Sequence, residues 1–499
     1  MELIKTNKTP QNMLVGGTLI INTNFSFVQN KKFGYVFCPL NNHNTQYIIF
    51  TNKIKESIKS KQYDSKTNLY CIVKITNTKF KDNIYEAILD RIIGPVNNIS
   101  NQIEVLYHYS EKYIINPKKY NKPLCNDIKT IYNAFIQSLV KNPTVNYETF
   151  SIDPIGCKDI DDAISYLDND NFIVHIADPN KLNEISSLNE YYHNNTSLYM
   201  ADKTYHLLPL ELSTNYISLL EKQVRPVISV HFKFINGNPT IDKIIRHNII
   251  VDSNMNYNDA DKLIDNEEST IGKLFTISKR LELIYYDQSK ILKDTHDMIE
   301  LFMLVINDKI GEYLTNNCLN KKDLLYRTCI NNENDDNKSL VATYNNQPLG
   351  HHSLKLKHYV HFSSPIRRTA DYITHQLLIE CLNNESYTNK YQIQDLNNFN
   401  NYINTVKIIS NRAKYLYVAN VITNGDKYKC KLLAINNNKF RWLIINYDIK
   451  FMCDICHTDF LDKYTNFINT LRINEIYDIK LFKLTVGKIQ NIKLTFEFN

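Results

Sequence analysis

The sequence has little glycine (11 of 499 residues), one tryptophan and no run of eighteen apolar residues. The last absence excludes a membrane-spanning helix. Ten cysteines follow no framework spacing, which excludes a disulfide-stapled scaffold and suits a reducing compartment. The opening stretch MELIKTNKTPQNMLVGG lacks a basic start followed by an apolar block and a small-residue cleavage site. The expectation is therefore a cytoplasmic protein without an export signal. Scarce glycine and alanine beside abundant Asn, Lys, Ile and Tyr match the codon bias of an AT-rich genome. The asparagines are dispersed among apolar residues rather than gathered in a tract, which argues against a prion-like segment.

What is present is ordinary in bulk and uneven in layout. Hydrophobic content of 43% and charged content of 22% are those of a globular chain. At 499 residues the chain is too long for one core, and two to four domains are expected. Net charge is +6, but residues 1–145 hold 19 Lys+Arg against 9 Asp+Glu, residues 146–424 hold 27 against 35, and residues 425–499 hold 12 against 8. Basic ends around an acidic middle suggest arms that grip a polyanion and a centre that holds cations.

After a tail of residues 1–13, residues 14–107 read as five short strands: TLIIN, FGYVFC, QYIIFT, LYCIVKIT and YEAILDRII. Polar turns separate them, and the pattern predicts a small barrel of the OB type. Within it KKFGYVF sets Phe33, Tyr35 and Phe37 on one face, either as barrel core or as a base-stacking platform for nucleic acid. Residues 108–145 form a basic connector (NPKKYNK) with one helical stretch. Residues 146–424 mix strands with long helices. In one of these, DMIELFMLVINDKIGEYL, the residues Ile299, Phe302, Met303 and Ile306 fall at helical spacing and belong in a core. Residues 425–499 return to strands (YKCKLLAIN, RWLIINY, KLTFEF) and predict a second small barrel. The expected fold class is α+β, a central domain flanked by barrels, without internal repeats.

The segment SIDPIGCKDIDDAIS places Asp153, Asp159, Asp161 and Asp162 among residues suited to a core. Carboxylates crowded in a partly buried turn repel one another, and some take up protons unless a cation neutralises them. A calcium loop would need a glycine after its third acidic position, and DIDDAI has none. Mg²⁺ in phosphate chemistry fits better, because it accepts few protein carboxylates and leaves positions for water and substrate oxygens. A solvated acidic turn is the bland alternative, and the interleaved Ile and Ala residues oppose it.

At IDPIGCKDIDDAI the chain resembles the ribonuclease II/ribonuclease R family, the RNB-domain 3′-to-5′ exoribonucleases. The resemblance continues in order through VHIADP (Val174–Pro179), TSLYMADKTYHLLPLELSTNYISLLEKQVRPVISV, IELFMLVIN and HHSLKLKHYVHFSSPIRRTADYITHQLL, over about 270 residues. It implies that Asp153, Asp159, Asp161 and Asp162 hold two Mg²⁺ ions at the scissile phosphate. It implies Arg367 as a phosphate clamp supported by Arg368, Tyr199 as a residue stacking on the terminal base, and Tyr257 as a second RNA contact. The substrate implied is single-stranded RNA and the product 5′-nucleoside monophosphates, released by a monomer without a membrane partner. The flanking barrels, with Phe33 and Tyr35 in the first, resemble the family's RNA-binding modules.

The chain departs from the family pattern at three places. Thr369 stands where a tyrosine is usual and Gln376 where an arginine is usual. The late helix VKIISNRAKYLYVA offers Ile409 or Ser410 where members carry an acidic residue near the terminal nucleotide. The rival reading is a catalytically impaired RNB-fold scaffold that binds RNA, and a DNA exonuclease is a third. CDICH (Cys453–His457) matches a c-type haem attachment string, but with no second C-x-x-C it reads as coincidence.

Overall fold

The computed structural model describes residues 14–21, 27–29, 32–41, 45–81, 84–109, 120, 122–139, 147–200, 203–286, 290–319, 321–330, 342–384, 390–436, 439–447, 449–454, 470–473, 475–486 and 491–498. The tail 1–13, residues 110–119, 121 and 140–145 of the basic connector, and Ile455–His457 of CDICH lie outside them.

In chain order the described elements begin with β1 (Leu14–Ile20), β2 (Phe27–Gln29), β3 (Lys32–Pro39), β4 (Gln46–Thr51), α1 (Lys53–Lys59), β5 (Leu69–Lys81), β6 (Ile84–Pro95), α2 (Ile99–Leu106) and α3 (Asn126–Leu139). The middle of the chain holds β7 (Thr149–Asp153), β8 (Asp162–Asp168), β9 (Asn171–Ala177), α4 (Pro179–Asn183), β10 (Leu198–Tyr199), β11 (Thr204–Tyr205), β12 (Val224–Ile235), β13 (Asn238–Ile250) and β14 (Ser253–Asn256). Then come α5 (Tyr257–Asp261), α6 (Thr270–Tyr285), α7 (Thr295–Asn317), β15 (Tyr326–Thr328), β16 (Thr343–Asn345), α8 (Thr369–Asn383) and α9 (Leu396–Val421). The chain closes with β17 (Lys427–Asn436), β18 (Lys439–Ile444), β19 (Ile449–Asp454), β20 (Ile476–Val486) and β21 (Asn491–Phe498). Two compact units result: Met1–Pro117 with Tyr199–Thr204 and Asn404–Asn499, and Lys118–Leu198 with Tyr205–Ile403.

In the first unit, β1 to β6 pair in the order β1-β5-β6-β4-β3-β2, and a further β1–β3 pairing closes the sheet into a barrel. The five expected strands are all there, and β2 is an addition. Val15, Leu19, Phe37, Ile49, Leu69 and Val73 fill its core. The alternation Phe33–Tyr35–Phe37 marks the inward side of β3: Phe37 is buried and Tyr35 packs against the core. The ring of Phe33 carries the Lys55 ammonium 3.9 Å from its centroid. The C-terminal sheet runs β19-β18-β17-β20-β21. Its core is built on Trp442, stacked on Phe440 and edge-on to Phe496 at 5.1 Å, with Val418 of α9 and Ile422 just after it packed in.

The second unit is built on a sheet ordered β13-β12-β9-β8-β7-β14, antiparallel except between β14 and β7. The strand period of two gives it faces of opposite character. One face presents Ile164, Val174, Ile176, Ile228, Val230 and Phe232 to α6, α7 and α8. Phe172 stacks on Phe232 at 5.0 Å and meets Phe302 of α7 edge-on at 5.2 Å. Of the expected helical stripe, Ile299, Phe302 and Ile306 are buried and Met303 packs beside them.

The other face carries a hydrogen-bonded polar seam across five strands. Thr149 Oγ1 meets Ser165 Oγ at 2.7 Å, and Ser165 meets His175 Nε2 at 3.0 Å. His175 Nδ1 meets Ser229 Oγ at 2.6 Å, and Ser229 meets His247 Nε2 at 2.6 Å. Burial drives His175 well below the usual imidazole range, so the seam is built from neutral rings.

Helix α7 passes so close to the following loop that a Cβ on Gly311 would stand 1.6 Å from the carbonyl oxygen of His358. In an open helix Gly→Ala stabilises by about 1 kcal/mol. Here the sign reverses: Gly311→Ala should lower the thermal midpoint of this unit, and an unchanged or raised midpoint in a melt would contradict the packing.

Candidate active site

Strand β7 delivers Asp153 and β8 begins at Asp162, so the turn between two neighbouring strands gathers the four aspartates at one end of the sheet. The chain reverses through Pro154 to Cys157, whose amide donates to the Pro154 carbonyl at 3.0 Å, with Gly156 in the left-handed region at φ +81. A second segment clamps the turn. Ser218 Oγ accepts from the Ile160 amide at 3.0 Å and donates to the Lys158 carbonyl at 2.8 Å, while the Leu219 amide donates to the Ile160 carbonyl. Arg225, 2% exposed, donates in turn to the carbonyls of Ser218 and Asn215.

The loop Ser363–Arg368 enters from the opposite side, held by three polar residues. Asn307 of α7 accepts the amides of Phe362 (2.8 Å) and Ser363 (3.2 Å) on its carbonyl oxygen, and its amide donates to Tyr359 Oη. Asp371, buried at the start of α8, accepts the Ser364 amide and an Arg368 Nη2 proton at 2.9 Å. His375 Nε2 meets the Phe362 carbonyl at 2.8 Å. The loop meets the aspartate turn at Asp161, whose oxygens accept the Ile366 amide at 2.8 Å and Arg367 Nε at 3.0 Å. Arg367 also donates to Ser364 Oγ, and its side chain stays 41% exposed.

These contacts do not neutralise the turn. Burial, opposed by the Arg367 charge and the Ile366 amide, still pushes Asp161 up to about 7. Burial pushes Asp153 up to about 6 against a Ser151 hydrogen bond and the Arg367 charge. Asp162 is raised by burial first and then by the charges of Asp153 and Asp161. Excess negative charge among hard oxygen donors suits a divalent cation of the Mg²⁺ type. Among the described residues, three ligand-type atoms come within 4.8 Å of one another only at His296, Asp297 and Glu300. There Lys290 pairs with Glu300 and the Lys293 amide with Asp297, as on an ordinary surface. The aspartate turn is looser than that cluster, as mutually repelling carboxylates should be.

The other sequence candidates fall out unevenly. Tyr257 follows Asn256, which is in register with Asp153, and burial and the charges of Asp162 and Asp153 raise its phenol. It therefore faces the turn. Arg368 turns away to Asp371 and supports the loop from behind. Tyr199 is 39% exposed in the ribbon β10–β11 and belongs to the unit containing the barrels, as do Phe33 and Tyr35. The three departures have structural occupations: Thr369 Oγ1 donates to the Tyr192 carbonyl, Gln376 accepts the Tyr391 amide, and Ile409 is fully buried. Asp178 of VHIADP is buried too, capping α4 and pairing with Arg246.

Ser218, Arg225 and Asn307 escaped the sequence reading as supports. The signal that could have found them is a polar residue amid apolar neighbours, as Asn307 is in LVIND.

A carboxyl whose folded pKa lies above its ordinary value contributes stability that is present below pH ~4 and is lost as pH rises through the folded value. For Asp153 and Asp161 that loss spans the interval up to about 6 and about 7. In chelator, the melting temperature should therefore fall between pH 5 and 8 on account of these groups, and Mg²⁺ should raise it more at pH 8 than at pH 5. Asp161→Asn should flatten that pH profile. A profile unchanged by the substitution would remove Asp161 from the group of strained carboxylates.

The RNB-domain family model matches residues 142–294 and 337–384. Ribonuclease R of Chlamydia pneumoniae is 27% identical over 47% of this chain and 46% of its own length. The chain spans about half the length of such curated relatives, the Mycoplasma genitalium ribonuclease R being matched over 43% of its length at 26% identity. Among solved structures, the apo form of that Mycoplasma genitalium enzyme superimposes with a TM-score of 0.62 at 18% identity, covering 97% of this chain and 89% of that one. Yeast Ssd1, described as a pseudonuclease, also superimposes at 0.62, with 15% identity over 89% of this chain and 65% of that one. The aspartate turn and the arginine loop both lie inside the segments that match the RNB-domain model, and over them the chain is similar to ribonuclease R in sequence and in fold.

Proposed function

We propose that the chain is a Mg²⁺-dependent 3′-to-5′ exoribonuclease that hydrolyses single-stranded RNA to 5′-nucleoside monophosphates, working as a cytoplasmic monomer. The observation that carries this reading is the part-buried carboxylate turn, with Asp161 fully inside it and the exposed guanidinium of Arg367 set against it. Asp153, Asp159, Asp161 and Asp162 would hold two ions. When bound, such a pair supplies Lewis-acid chemistry: activation of water and neutralisation of charge at the leaving 3′-oxygen. Arg367 would hold a phosphate oxygen at the scissile position while Asp371, through Arg368 and the Ser364 amide, keeps its loop in place. Asp161 would orient that guanidinium. Tyr257 would meet the RNA beside the turn, and Tyr199 and Phe33 would offer rings to bases, whereas Tyr35 packs against the core of its barrel.

A scaffold that binds RNA without cutting it is the second reading. It is favoured by Ile409, buried where the resemblance expects an acidic residue, and by the fold likeness to a pseudonuclease. A 5′-labelled RNA ladder separates the two. Cleavage from the 3′ end that stops in EDTA, and falls at least about 100-fold in Asp161→Asn with RNA affinity held within a few-fold, fits a metal-centre nuclease. Binding without cleavage in the presence of Mg²⁺ would favour the scaffold, and trimming of DNA as fast as RNA would favour a DNA exonuclease.

Base stacking on an aromatic contributes about 1–3 kcal/mol and tolerates any base. Tyr199→Ala should consequently leave a longer limit product while the internal steps of the ladder proceed. An identical limit product would make Tyr199 structural.

A further inference from the structure

Resting on the metal-centre reading above, we propose that His206 is a nitrogen donor to the ion on Asp159, and that the centre thereby prefers a borderline transition ion such as Mn²⁺ over Mg²⁺. His206 is 8% exposed, with Nδ1 directed at the aspartate turn 3.7 Å from Asp159 Oδ2. That separation is beyond hydrogen-bonding range. With ligand distances of ~2.1 Å, two donors on one ion stand roughly 3.0 Å apart when adjacent and roughly 4.2 Å apart when opposite. The observed 3.7 Å lies between the two values, so the ring closes toward Asp159 when the two donors share an ion as an adjacent pair.

The imidazole is not on a loose side chain. The next residue, Leu207, donates its amide to Ser197 Oγ at 2.9 Å, and the Ser197 amide donates to the Arg367 carbonyl at 3.0 Å. His206 is therefore tied to the arginine loop that closes the site. The other oxygen of Asp159, Oδ1, accepts from Cys157 Sγ at 3.7 Å. An imidazole added to carboxylates favours Mn²⁺ over Mg²⁺, since Mg²⁺ prefers an all-oxygen shell and nitrogen affinity rises along the transition series.

The test uses the chelated chain of residues 1–499 without RNA, loaded with one equivalent of Mn²⁺ and read by pulsed electron paramagnetic resonance. Wild type should show the modulation of a directly bound imidazole nitrogen. His206→Ala and His206→Gln should lose it, with melting curves in chelator unchanged. In titrations Mn²⁺ should bind the variants at least about fivefold more weakly while Mg²⁺ affinity stays within about twofold. Wild-type Mn²⁺ bound without nitrogen modulation, or a signal that survives both substitutions, overturns the His206 assignment and leaves the carboxylate centre standing. If neither ion binds wild type more tightly than it binds Asp161→Asn, the carboxylate centre falls and the assignment with it.

Discussion

Like charge held out of water is the condition to which the second unit is built. Asp153, Asp161 and Asp162 lie at the meeting of two adjacent strands, where burial raises all three, the charge of Asp159 adds to the rise of Asp153 and Asp161, and the charges of those two add to that of Asp162. Turned fully to solvent, such carboxylates would cost little and hold an ion weakly. Folded inward, they store unfavourable charge that a divalent cation or a proton relieves. Arg367 offsets part of it, and it does so with a side chain that is still 41% exposed.

Keeping repelling groups together requires a frame that cannot relax, and the second unit supplies it with polar contacts from distant segments. Ser218 grips both sides of Ile160, and the buried guanidinium of Arg225 fixes the turn that carries Ser218. Asn307 ties α7 to the backbone of the arginine loop, and Asp371 ties that loop to α8. Buried hydrogen bonds of this kind contribute little net stability one by one. Leaving any of them half-made is costly, so together they specify one arrangement. The seam from Thr149 to His247 acts likewise on the sheet that presents the aspartates.

Members of a family with a common fold differ in what they do, and the matched fold here is shared by a ribonuclease and by a pseudonuclease. The positions where this chain departs from the family pattern are not defects in the frame. Thr369 and Gln376 each satisfy a backbone group, and Ile409 is fully buried. The departures are absorbed by local packing, while the carboxylates of the turn are all retained. Function therefore lies with the charge at the turn rather than with the fold.

Local pattern alone determined a good deal. Period-two alternation located the strands of the first barrel, the 3.6-residue stripe located the buried side of α7, and the crowding of aspartates located the site. Each of these depends on neighbours in the chain, and a sequence displays neighbours directly. Tertiary structure decided the rest. Phe33, Tyr35 and Phe37 alternate in a way that suits a core and a stacking platform equally well, and only the closed barrel turns Phe37 inward with Tyr35 packed beside it. Arg367 and Arg368 are adjacent and identical in chemistry, yet one reaches Asp161 and the other Asp371, because successive side chains leave the loop in different directions. His206 is 47 positions beyond Asp159 and Ser218 is 58 beyond Ile160. Such pairs obey no spacing rule, because their distance is set by how strands and loops stack and not by how far apart they stand along the chain.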